Sequence, residues 1–469
     1  MPLASSLLAL LLGGCATTPA PVSSTRVVVP ERFSGGAATA TSPATGHSDD
    51  WWSAFQDSTL DALIRRVAHD NTRVRVAEAR YAQARALARA ADAARAPAIG
   101  IQARATRIGG PLVNEAGSDG ALYGVNASLV YELDLSSRQA GRLDAANHDA
   151  SARAARLVDT RLLVSAELAR DLFRLRALDR ELVLVRDAAA SQARTLELTE
   201  HRRTSGLGSE LDAARAAAEL AEARAEEAVL LRRRELTEHA IAVLVGIASS
   251  RFTVPPTHGA VRLPAIPAGI PATVLARRAD ISAARSALTA AQARAGIARS
   301  AWLPNLSLTA GGGVASSALG ELLRSSARAW SLGALLALPL FDGGRRRAEI
   351  EVADAEVAAQ AEAYAERVLI ALREVEDQLS ALRRLAEEAA VLEGAIANAK
   401  RTVELAASRY RAGVASQLEV LDAQRGELRI RRRALGVQAS RQLATVGLIH
   451  AIGGGWSTPA AVTPLASAR

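Results

Sequence analysis

The sequence predicts a mixed α+β chain built from a tandem repeat, in which each half supplies one β-hairpin and one long helical hairpin. Three observations indicate this fold class. Matching landmarks recur at a constant spacing, two pairs of segments alternate apolar and polar residues, and two long regions lack proline. Segments that recur at a fixed period indicate a duplicated structural unit. The two halves are therefore expected to fold alike.

The repeat is clearest at two helix–turn–helix stretches. Gly206 precedes Ser209 in the first half, and Gly413 precedes Ser416 in the second, a shift of 413 − 206 = 207 residues. Glycine ends helices because it tolerates a left-handed backbone, and serine begins them because its hydroxyl accepts a free backbone N–H. The same shift relates Pro97 to Pro304 and Gly246 to Gly453.

Composition divides the chain into six predicted segments. They are a lipoprotein signal peptide (1–14), a lipidated flexible tether (15–50), a first repeat (51–250), a Pro-rich linker (251–271), a second repeat (272–455) and a loose C-terminal tail (456–469). The tether is rich in small and polar residues, which is typical of flexible chain. Each repeat is expected to hold a helix, a β-hairpin and a long helical hairpin.

Cys15 is the only cysteine, which excludes an internal disulfide. It follows an apolar run that is too short to span a bilayer. The stretch Leu12–Cys15 resembles a bacterial lipobox, so we expect Cys15 to carry lipid and to become the first residue. Ala16 beside it is typical of sorting to the outer membrane, although Met1–Ala4 lacks the usual basic residue. One acylated terminus tethers a protein to a membrane without spanning it.

The first ordered element is predicted after Trp51-Trp52. The region 57–95 lacks proline and carries a stripe of apolar residues at helical spacing, so it is predicted to be a helix that Pro97 ends. The stripe comprises Leu60, Leu63, Ile64, Val67, Val74 and Ala77.

Four segments then show the period of a β-strand. Residues 99–106 and 125–134 flank a polar loop in the first half. Residues 305–310 and 330–338 flank a predicted loop in the second half that holds Gly311, Gly312 and Gly313. Strands of about ten residues cross a bilayer when they are tilted. Aromatic residues at both strand ends fit interfacial girdles, and these are Trp302, Phe341, Tyr131, Tyr123 and Trp330.

Four strands cannot close a barrel within one chain. An open strand edge is not tolerated in lipid, because its backbone groups would lack hydrogen-bond partners. If the strands span a membrane, several chains must therefore pool them. The alternative is a soluble hairpin of the sandwich type.

Two regions without proline predict long helices. No proline occurs between Pro111 and Pro255 or between Pro339 and Pro459. A helix over 343–411 would extend about 100 Å at roughly 1.5 Å per residue. Its apolar residues step alternately by three and four, which indicates a coiled-coil seam. The seams comprise Leu392, Ile396, Ala399, Val403, Ala406 and Tyr410 in the second half, and Leu168, Leu172, Leu175, Leu178, Leu182, Val185 and Ala189 in the first.

Charge and composition exclude several function classes. The chain has 57 Lys+Arg against 49 Asp+Glu, a net charge of +8, and its arginines alternate with glutamates along the predicted helices. This pattern is typical of a solvated helix face, and no nucleic-acid reader motif accompanies it. The seven histidines are scattered without metal-ligand spacing, and the glycine triplets lack the residues of a phosphate loop. We therefore expect no enzyme, no cofactor, no metal and no nucleic-acid partner.

Several motifs together resemble one family. They are Leu338-Pro339-Leu340-Phe341-Asp342-Gly343-Gly344-Arg345, Arg409-Tyr410-Arg411-Ala412-Gly413-Val414, Leu418-Glu419-Val420-Leu421-Asp422-Ala423-Gln424-Arg425 and Trp302-Leu303-Pro304-Asn305-Leu306-Ser307. The chain from about 51 to 455 is thereby identified as a member of the outer-membrane factor (TolC-type) family of tripartite efflux pumps. The lipobox points to the lipoprotein branch that serves resistance-nodulation-division (RND) transporters. Two local departures are Arg277-Arg278-Ala279-Asp280-Ile281, where the family has Arg-Arg-Pro-Asp-Ile, and Asn71-Thr72-Arg73-Val74, where it has an Asn-Pro-Asp type of segment.

The resemblance implies a mixed α+β membrane protein that acts as a homotrimer. Three chains of four strands would form a trimeric 12-stranded outer-membrane β-barrel, continuous with a long periplasmic α-helical coiled-coil barrel. The implied function is the exit duct of an efflux pump, which passively conducts small toxic compounds from an inner-membrane RND-type transporter and a periplasmic adaptor to the exterior. The implied partners are these two proteins, two further copies of the chain and outer-membrane lipid.

The resemblance also implies site residues at the periplasmic helix tips. The adaptor-contacting tips correspond to Gly206, Leu207, Gly208, Ser209, Gly413, Val414, Ala415 and Ser416. The periplasmic gate corresponds to Leu418, Asp422 and Arg425. The i, i+4 spacing places Leu418 and Asp422 on one helix face, although Asp422 in an ordinary surface salt bridge is the alternative. Two other functions stay open, which are the duct of another export system (type I-like secretion) and a periplasmic coiled-coil scaffold lipoprotein.

Overall fold

The computed structural model of the chain describes residues 27–34, 50–108, 120–257, 259, 263–266, 269 and 271–455. Cys15, the predicted signal peptide, the loop 109–119 and the predicted tail lie outside these residues. The helices of the first half are α1 (Ser58–Asp70), α2 (Thr72–Ala93), α3 (Arg138–Thr204) and α4 (Glu210–Leu244). Those of the second half are α5 (Pro271–Arg277), α6 (Ala279–Ser300), α7 (Arg345–Arg411) and α8 (Gln417–Ala451). The strands are β1 (Ala98–Ile108), β2 (Gly120–Leu133), β3 (Asn305–Ser316) and β4 (Arg328–Ala337).

The element bounds repeat along the chain. Helices α3 and α7 are 67 residues each, α4 and α8 are 35 each, and α2 and α6 are 22 each. Three second-half helices, α6, α7 and α8, begin 207 residues after their counterparts (279 − 72, 345 − 138 and 417 − 210), whereas α5 begins 213 residues after α1 (271 − 58). The predicted internal repeat is therefore confirmed at the level of individual helices.

The chain forms two compact units, each made of segments from both halves. The first combines the described residues of Arg80–Ala154 and Ala283–Glu366, and it contains the four strands. The second combines those of Val28–Ala79, Ala155–Ser282 and Arg367–Arg469, and it contains the two helical turns after α3 and α7.

The strands form one antiparallel sheet in the order β1-β2-β3-β4. Each half supplies one hairpin, as predicted, and β2 pairs with β3 to join the two hairpins. One prediction is wrong, because the glycine triplet 311–313 lies within β3 and not in a loop. These glycines pair with residues of both β2 and β4, so the ladder continues through them.

A second correction concerns the helix predicted over 57–95, which is broken at Asn71. The backbone of Asn71 is extended, with φ −67° and ψ 125°. Its side-chain oxygen accepts hydrogen bonds from the N–H groups of Arg73 and Val74 at 2.9 and 3.1 Å. Asparagine competes for backbone donors in this way, and it therefore ends α1 and caps α2.

The core of the second unit includes a residue of the predicted tether. Phe33 is 5% exposed and packs in a cluster with Val274, Val375 and Leu448. The neighbouring Ser34 donates hydrogen bonds to the Glu376 carboxylate from its backbone N–H and from its hydroxyl. The described part of the tether is thus docked on helices, since an aromatic ring gains free energy by burial.

The predicted coiled-coil seams lie at buried positions. Leu168, Leu172 and Leu175 of α3 are fully buried. In the second half Leu392 is buried, whereas Val403 and Tyr410 are half-buried within the single chain. The first-half seam is therefore filled by contacts within the chain, and the second-half seam is filled in part.

Candidate functional site

The two helical turns of the second unit have the same backbone geometry. Gly206 and Gly413 both have φ +74°, in the left-handed region that glycine tolerates best. The hydroxyl of Ser209 accepts a hydrogen bond from the N–H of Asp212, and that of Ser416 accepts one from the N–H of Glu419. The predicted glycine turns and serine caps are thus present at both sites.

Each turn exposes one large apolar side chain. Leu207 is 82% exposed and Val414 is 66% exposed. The other predicted tip residues are exposed apart from Gly208 and Ala415, which are half-buried. Exposed apolar residues at the ends of hairpins are suited to contact with another protein.

Two polar contacts join the turns of the two halves. The Arg202 guanidinium donates a 2.6 Å hydrogen bond to the Tyr410 hydroxyl and lies 4.7 Å from the centre of its ring. The buried Gln417 side chain donates a 3.0 Å hydrogen bond to the Thr199 hydroxyl. A cation over an aromatic ring is attracted to its π face, so the first contact combines two favourable interactions.

The predicted gate residues occupy the first three turns of α8. Leu418 is 45% exposed, and the Asp422 side chain is 63% exposed. Arg425 lies 3.8 Å from Asp422 and donates a 2.9 Å hydrogen bond from Nε to the buried carboxylate of Glu219 on α4. The structure thus brings Asp422 and Arg425 together, and it ties Arg425 to a residue that was not predicted.

A second ion pair of the same kind lies two turns further along. Arg432 on α8 contacts Glu226 on α4 and donates a 2.7 Å hydrogen bond to Glu181 on α3. The sequence carries a signal for this arrangement, because Glu219 and Glu226 are spaced like Arg425 and Arg432, seven residues apart. Seven residues are about two helical turns, so each pair lies on one face.

These ion pairs border a cleft of about 630 Å³ between α3, α4 and α8. Its lining includes Val185, Gln192, Glu222, Ala223, Leu428 and Arg429. The facing charges attach α8, which carries the predicted gate residues, to α3 and α4 of the same chain.

A buried charge cluster lies elsewhere in the second unit. Arg278 is buried, donates to Asp280 at 2.7 and 3.0 Å and lies 2.8 Å from the carboxylate of Glu374. Burial, reinforced by the charge of Asp280, raises the pKa of Asp159. Burial, reinforced by Arg170, lowers the pKa of His450. Both shifts favour the neutral form, as expected where water is excluded.

The sheet of the first unit has one apolar face that extends over all four strands. Residues paired across an antiparallel ladder lie on the same face, and the pairing matches apolar rows such as Ile101 with Ala127 and Leu308 with Ala334. Its apolar members include Ile99, Ile101, Ala103 and Ala105 on β1; Tyr123, Val125, Ala127, Leu129, Tyr131 and Leu133 on β2; Leu306, Leu308, Ala310, Gly312 and Val314 on β3; and Trp330, Leu332, Ala334 and Leu336 on β4. Arg107 and Arg328, near the ends of β1 and β4, are its charged members. Trp330 is 85% exposed and Leu332 is 79% exposed, so this face is open in the single chain.

The opposite face is mostly polar and small, with Leu122, Val130 and Leu335 as its large apolar residues. Its members include Gly100, Gln102, Arg104, Thr106, Gly124, Asn126, Ser128, Ser307, Thr309, Gly311, Gly313, Ser331 and Gly333. A Cβ at Gly313 would lie 2.6 Å from Asn126 Cα, and one at Gly333 would lie 2.9 Å from Thr309 Oγ1. A Cβ at Gly312, on the apolar face, would meet nothing within 4 Å. Around β3 and β4 the polar face is thus the more crowded of the two.

Two features are absent from the part of the chain that the structure describes. No described helix combines the length and apolar character needed to cross a membrane. The described histidine and acidic side chains include no group of three that could hold a metal ion.

Comparison with known proteins places both halves in one family. The model of the family described as Outer membrane efflux protein matches residues 63–247 and again 270–454, with both ends shifted by 207 (270 − 63 and 454 − 247). The chain is 32% identical to outer membrane protein OprJ of Pseudomonas aeruginosa over 458 residues, covering 96% of this chain and 95% of OprJ. It is also 32% identical to toluene efflux pump outer membrane protein TtgI of Pseudomonas putida, covering 86% of this chain and 87% of TtgI. The solved structure of the outer-membrane channel OprN matches with a TM-score of 0.86 at 30% identity, covering 92% of this chain and 98% of that one.

These similarities confirm several expectations. The fold class, a mixed α+β membrane protein with four strands per chain, long helical hairpins and an internal repeat, is that of the outer-membrane channels. The predicted function, an exit duct for efflux, and the predicted location in the outer membrane are confirmed as well. The lipid attachment at Cys15 and the roles of the tip and gate residues stay predictions. The chain belongs to the Outer membrane efflux protein family.

Proposed function

We propose that three copies of this chain form the outer-membrane duct of a tripartite efflux pump. An inner-membrane RND-type transporter and a periplasmic adaptor deliver small toxic compounds, which the duct conducts passively to the exterior. The proposal rests on the sheet, whose apolar face extends across four strands while its opposite face is mostly polar. Strands that alternate in this way are typical of membrane channels with an aqueous interior.

The sheet edges support a shared barrel. Within one chain β1 and β4 are the outer strands, and neither has a further partner among the described residues. Open edges are not tolerated in lipid, because each unpaired backbone group costs several kcal/mol. Pairing β4 of one copy with β1 of the next closes the sheet, and three copies of four strands give twelve.

The proposed gate lies at the start of α8. Leu418 is 45% exposed and the Asp422 side chain 63% exposed in the single chain, so both can face the same residues of the other two copies. Three Leu418 side chains form an apolar plug, and three Asp422 carboxylates form a charged ring. Arg425 beside Asp422 offsets part of the repulsion between these carboxylates.

The proposed contact surface for the adaptor is formed by the helix turns after α3 and α7. Leu207 and Val414 provide the apolar anchors, and the backbone of the flanking glycines is accessible because these residues have no side chain. An adaptor that binds both turns can separate them by disrupting the Arg202–Tyr410 and Gln417–Thr199 contacts.

Assembly tests the proposal directly. The detergent-solubilised protein is expected to have a mass near three chains. Deletion of its gene should sensitise cells to several unrelated toxic compounds. A stable monomer that stays in the outer membrane would contradict the shared barrel. Full resistance of cells that lack the protein and its paralogues would contradict the efflux role.

The lipid anchor has a separate test. Cys15→Ser should abolish incorporation of a radiolabelled fatty acid, because the chain has no other cysteine. We expect the variant to keep part of its function, because the strands would anchor the protein in the membrane without the lipid. Labelling that persists in Cys15→Ser would refute the anchor.

A further inference from the structure

Arg104 lies on the polar face of the sheet and has no ion-pair partner among the described residues. It lies in β1 on the same face as Gln102 and Thr106, and it is exposed. No carboxylate pairs with it among the residues that the structure describes. Glu132, also on this face, accepts a 3.1 Å hydrogen bond from Gln139 and pairs with Arg138, so its charge is offset.

The surroundings of Arg104 leave its side chain free. The residue opposite it on β2 is Gly124, and the next residue in that row, on β3, is Ala315. Neither glycine nor alanine has a side chain that could cover a guanidinium or accept its hydrogen bonds. The five N–H donors of Arg104 are therefore available to a solute that passes along this face.

The polar face is also the more crowded face around β3 and β4. Among the glycines of β3, a Cβ at Gly311 would lie 2.9 Å from Ser331 Oγ, and one at Gly313 would lie 2.6 Å from Asn126 Cα, whereas Gly312 has open space. Side chains crowd together on the inner side of a closed barrel, and the inner side of a water-filled membrane barrel is polar. Arg104 is thus on the side that becomes the interior when the sheet closes.

We propose that Arg104 is a specificity-determining residue that binds organic anions, such as carboxylates and sulfonates, on the inner wall of the barrel. This inference rests on the proposed three-chain duct, in which three Arg104 side chains form a ring. A guanidinium matches a carboxylate or sulfonate with two parallel hydrogen bonds and stays charged at every physiological pH. Rings of charged side chains set the preference of pores for ions of the opposite sign.

Screening by salt determines the ionic strength at which the effect of the Arg104 ring can be measured. The Debye length is about 10 Å at 0.1 M salt and about 30 Å at 0.01 M. A ring of three charges on a wide wall therefore influences permeating ions mainly at low ionic strength. The preference for anions is expected to weaken steadily as salt is added.

The test measures the reversal potential of the purified trimer in planar bilayers under a KCl gradient at low salt. Arg104→Glu should raise the permeability ratio of K⁺ to Cl⁻ relative to wild type by roughly two-fold or more, with Arg104→Gln between them. The matched control is Arg328→Gln. Arg328 pairs with Val314 and lies on the apolar face. It is one residue along the strands from the row that contains Arg104, Gly124 and Ala315. Removal of its charge should therefore leave the ratio of K⁺ to Cl⁻ permeability unchanged.

A second variant separates charge from folding. Arg104→Cys can be assembled first and then labelled with a sulfonate-bearing or a trimethylammonium-bearing thiol reagent, since Cys15 is the only native cysteine. The two labels should shift the reversal potential in opposite directions. A conducting trimer in which neither Arg104→Glu nor the two labels change the reversal potential would overturn the inference alone. A wild-type trimer that conducts no ions would overturn the proposed duct, and this inference with it.

Discussion

The side-chain amide of Asn71 donates a 2.8 Å hydrogen bond to the main-chain carbonyl of Leu244, the last residue of α4. In the second half, the Arg278 guanidinium donates a 2.7 Å hydrogen bond to the carbonyl of Ala451, the last residue of α8. Both bonds span 173 residues. The carbonyls at a helix C-terminus lack partners within the helix, so each donor satisfies one of them. The two halves thus keep one contact while using different side chains.

Removal of Arg278 should destabilise the fold more than removal of Asn71. Arg278→Ala leaves Asp280 and Glu374 without their main partner in a buried site, and breaking one side of a buried ion pair costs about 3–5 kcal/mol. Asn71→Ala removes neutral hydrogen bonds and should cost about 1–3 kcal/mol. Thermal unfolding followed by circular dichroism in detergent measures both.

Arg277→Ala is the control for Arg278→Ala. Arg277 is adjacent and half-buried, and it is in no ion pair that the described structure contains, so the change should be within about 0.5 kcal/mol. Equal melting temperatures for Arg277→Ala and Arg278→Ala would show that the buried network does not stabilise the second unit.

His450 should make stability fall in mild acid. Burial and the charge of Arg170 lower its pKa below the usual 6.5, while Glu374, Arg278 and Asp280 are the other charged groups that face it. A base with a lowered folded-state pKa contributes stability above its unfolded pKa and loses it as pH falls toward the folded value. Unfolding midpoints of wild type should therefore decrease as pH falls below about 6.5.

His450→Val is the matched variant, because valine occupies the equivalent position 243 of the first half. It should unfold with a weaker dependence on pH between about 5 and 7. Asp159, whose pKa is raised, acts in the opposite sense, but it is present in both proteins and cancels in the comparison. Parallel pH profiles for the two proteins would refute the role of His450.

Periodicity predicts most of the fold. Its two errors have different causes, which are the capping by Asn71 that breaks the first helix and a close approach of strands at the glycine triplet. The strands of the sheet and the seam of α3 follow directly from apolar spacing, which burial enforces. The glycine triplet was predicted as a loop, because glycine weakens strands in general. Its place in β3 depends on how closely β2 approaches, and this distance is a property of the folded sheet.

The sequence predicts the local features of the candidate site but not its long-range contacts. The glycine turns and serine caps are local, so the sequence contains the full signal for them. The partner of Arg425 is Glu219, about two hundred residues away, and the choice among many nearby glutamates depends on tertiary packing. The burial of Phe33 is likewise set by a surface formed from distant helices.

Gly313→Ala should disrupt the sheet. Its new Cβ would lie 2.6 Å from Asn126 Cα and would also clash with the Val125 carbonyl, so backbone must shift. Such overpacking typically costs about 1–3 kcal/mol. The heat-stable trimer seen by gel electrophoresis should therefore dissociate at a lower temperature.

Gly312→Ala provides the comparison for the sheet, because a Cβ at this position meets nothing within 4 Å. It should leave trimer dissociation unchanged or should raise its temperature slightly, since alanine reduces the entropy of the unfolded chain. A Gly312→Ala protein as unstable as Gly313→Ala would mean that both faces of β3 are equally crowded.

The gate variant Leu418→Ala/Asp422→Ala should open the closed tip without unfolding the chain. In the proposed trimer it removes the apolar plug and the carboxylate ring together. The Arg425–Glu219 bond and the Gln417–Thr199 bond remain, so α8 stays attached to α4 and α3. The variant should raise the ion conductance of the reconstituted protein, and cells that carry it should admit large antibiotics such as vancomycin.

Leu211→Ala/Arg215→Ala is the control for the gate, at the equivalent positions of the first half. Leu211 is 57% exposed, more than Leu418 at 45%, but Arg215 replaces the aspartate, so no carboxylate ring is lost. Conductance and vancomycin entry should then stay near wild type. Three aspartates that face one axis repel one another. A constriction that is closed only by the Leu418 side chains and the Asp422–Arg425 ion pairs is therefore weak. If the gate variant is an intact trimer with wild-type conductance, the constriction is formed by other residues, and the Arg202–Tyr410 contact becomes the next candidate.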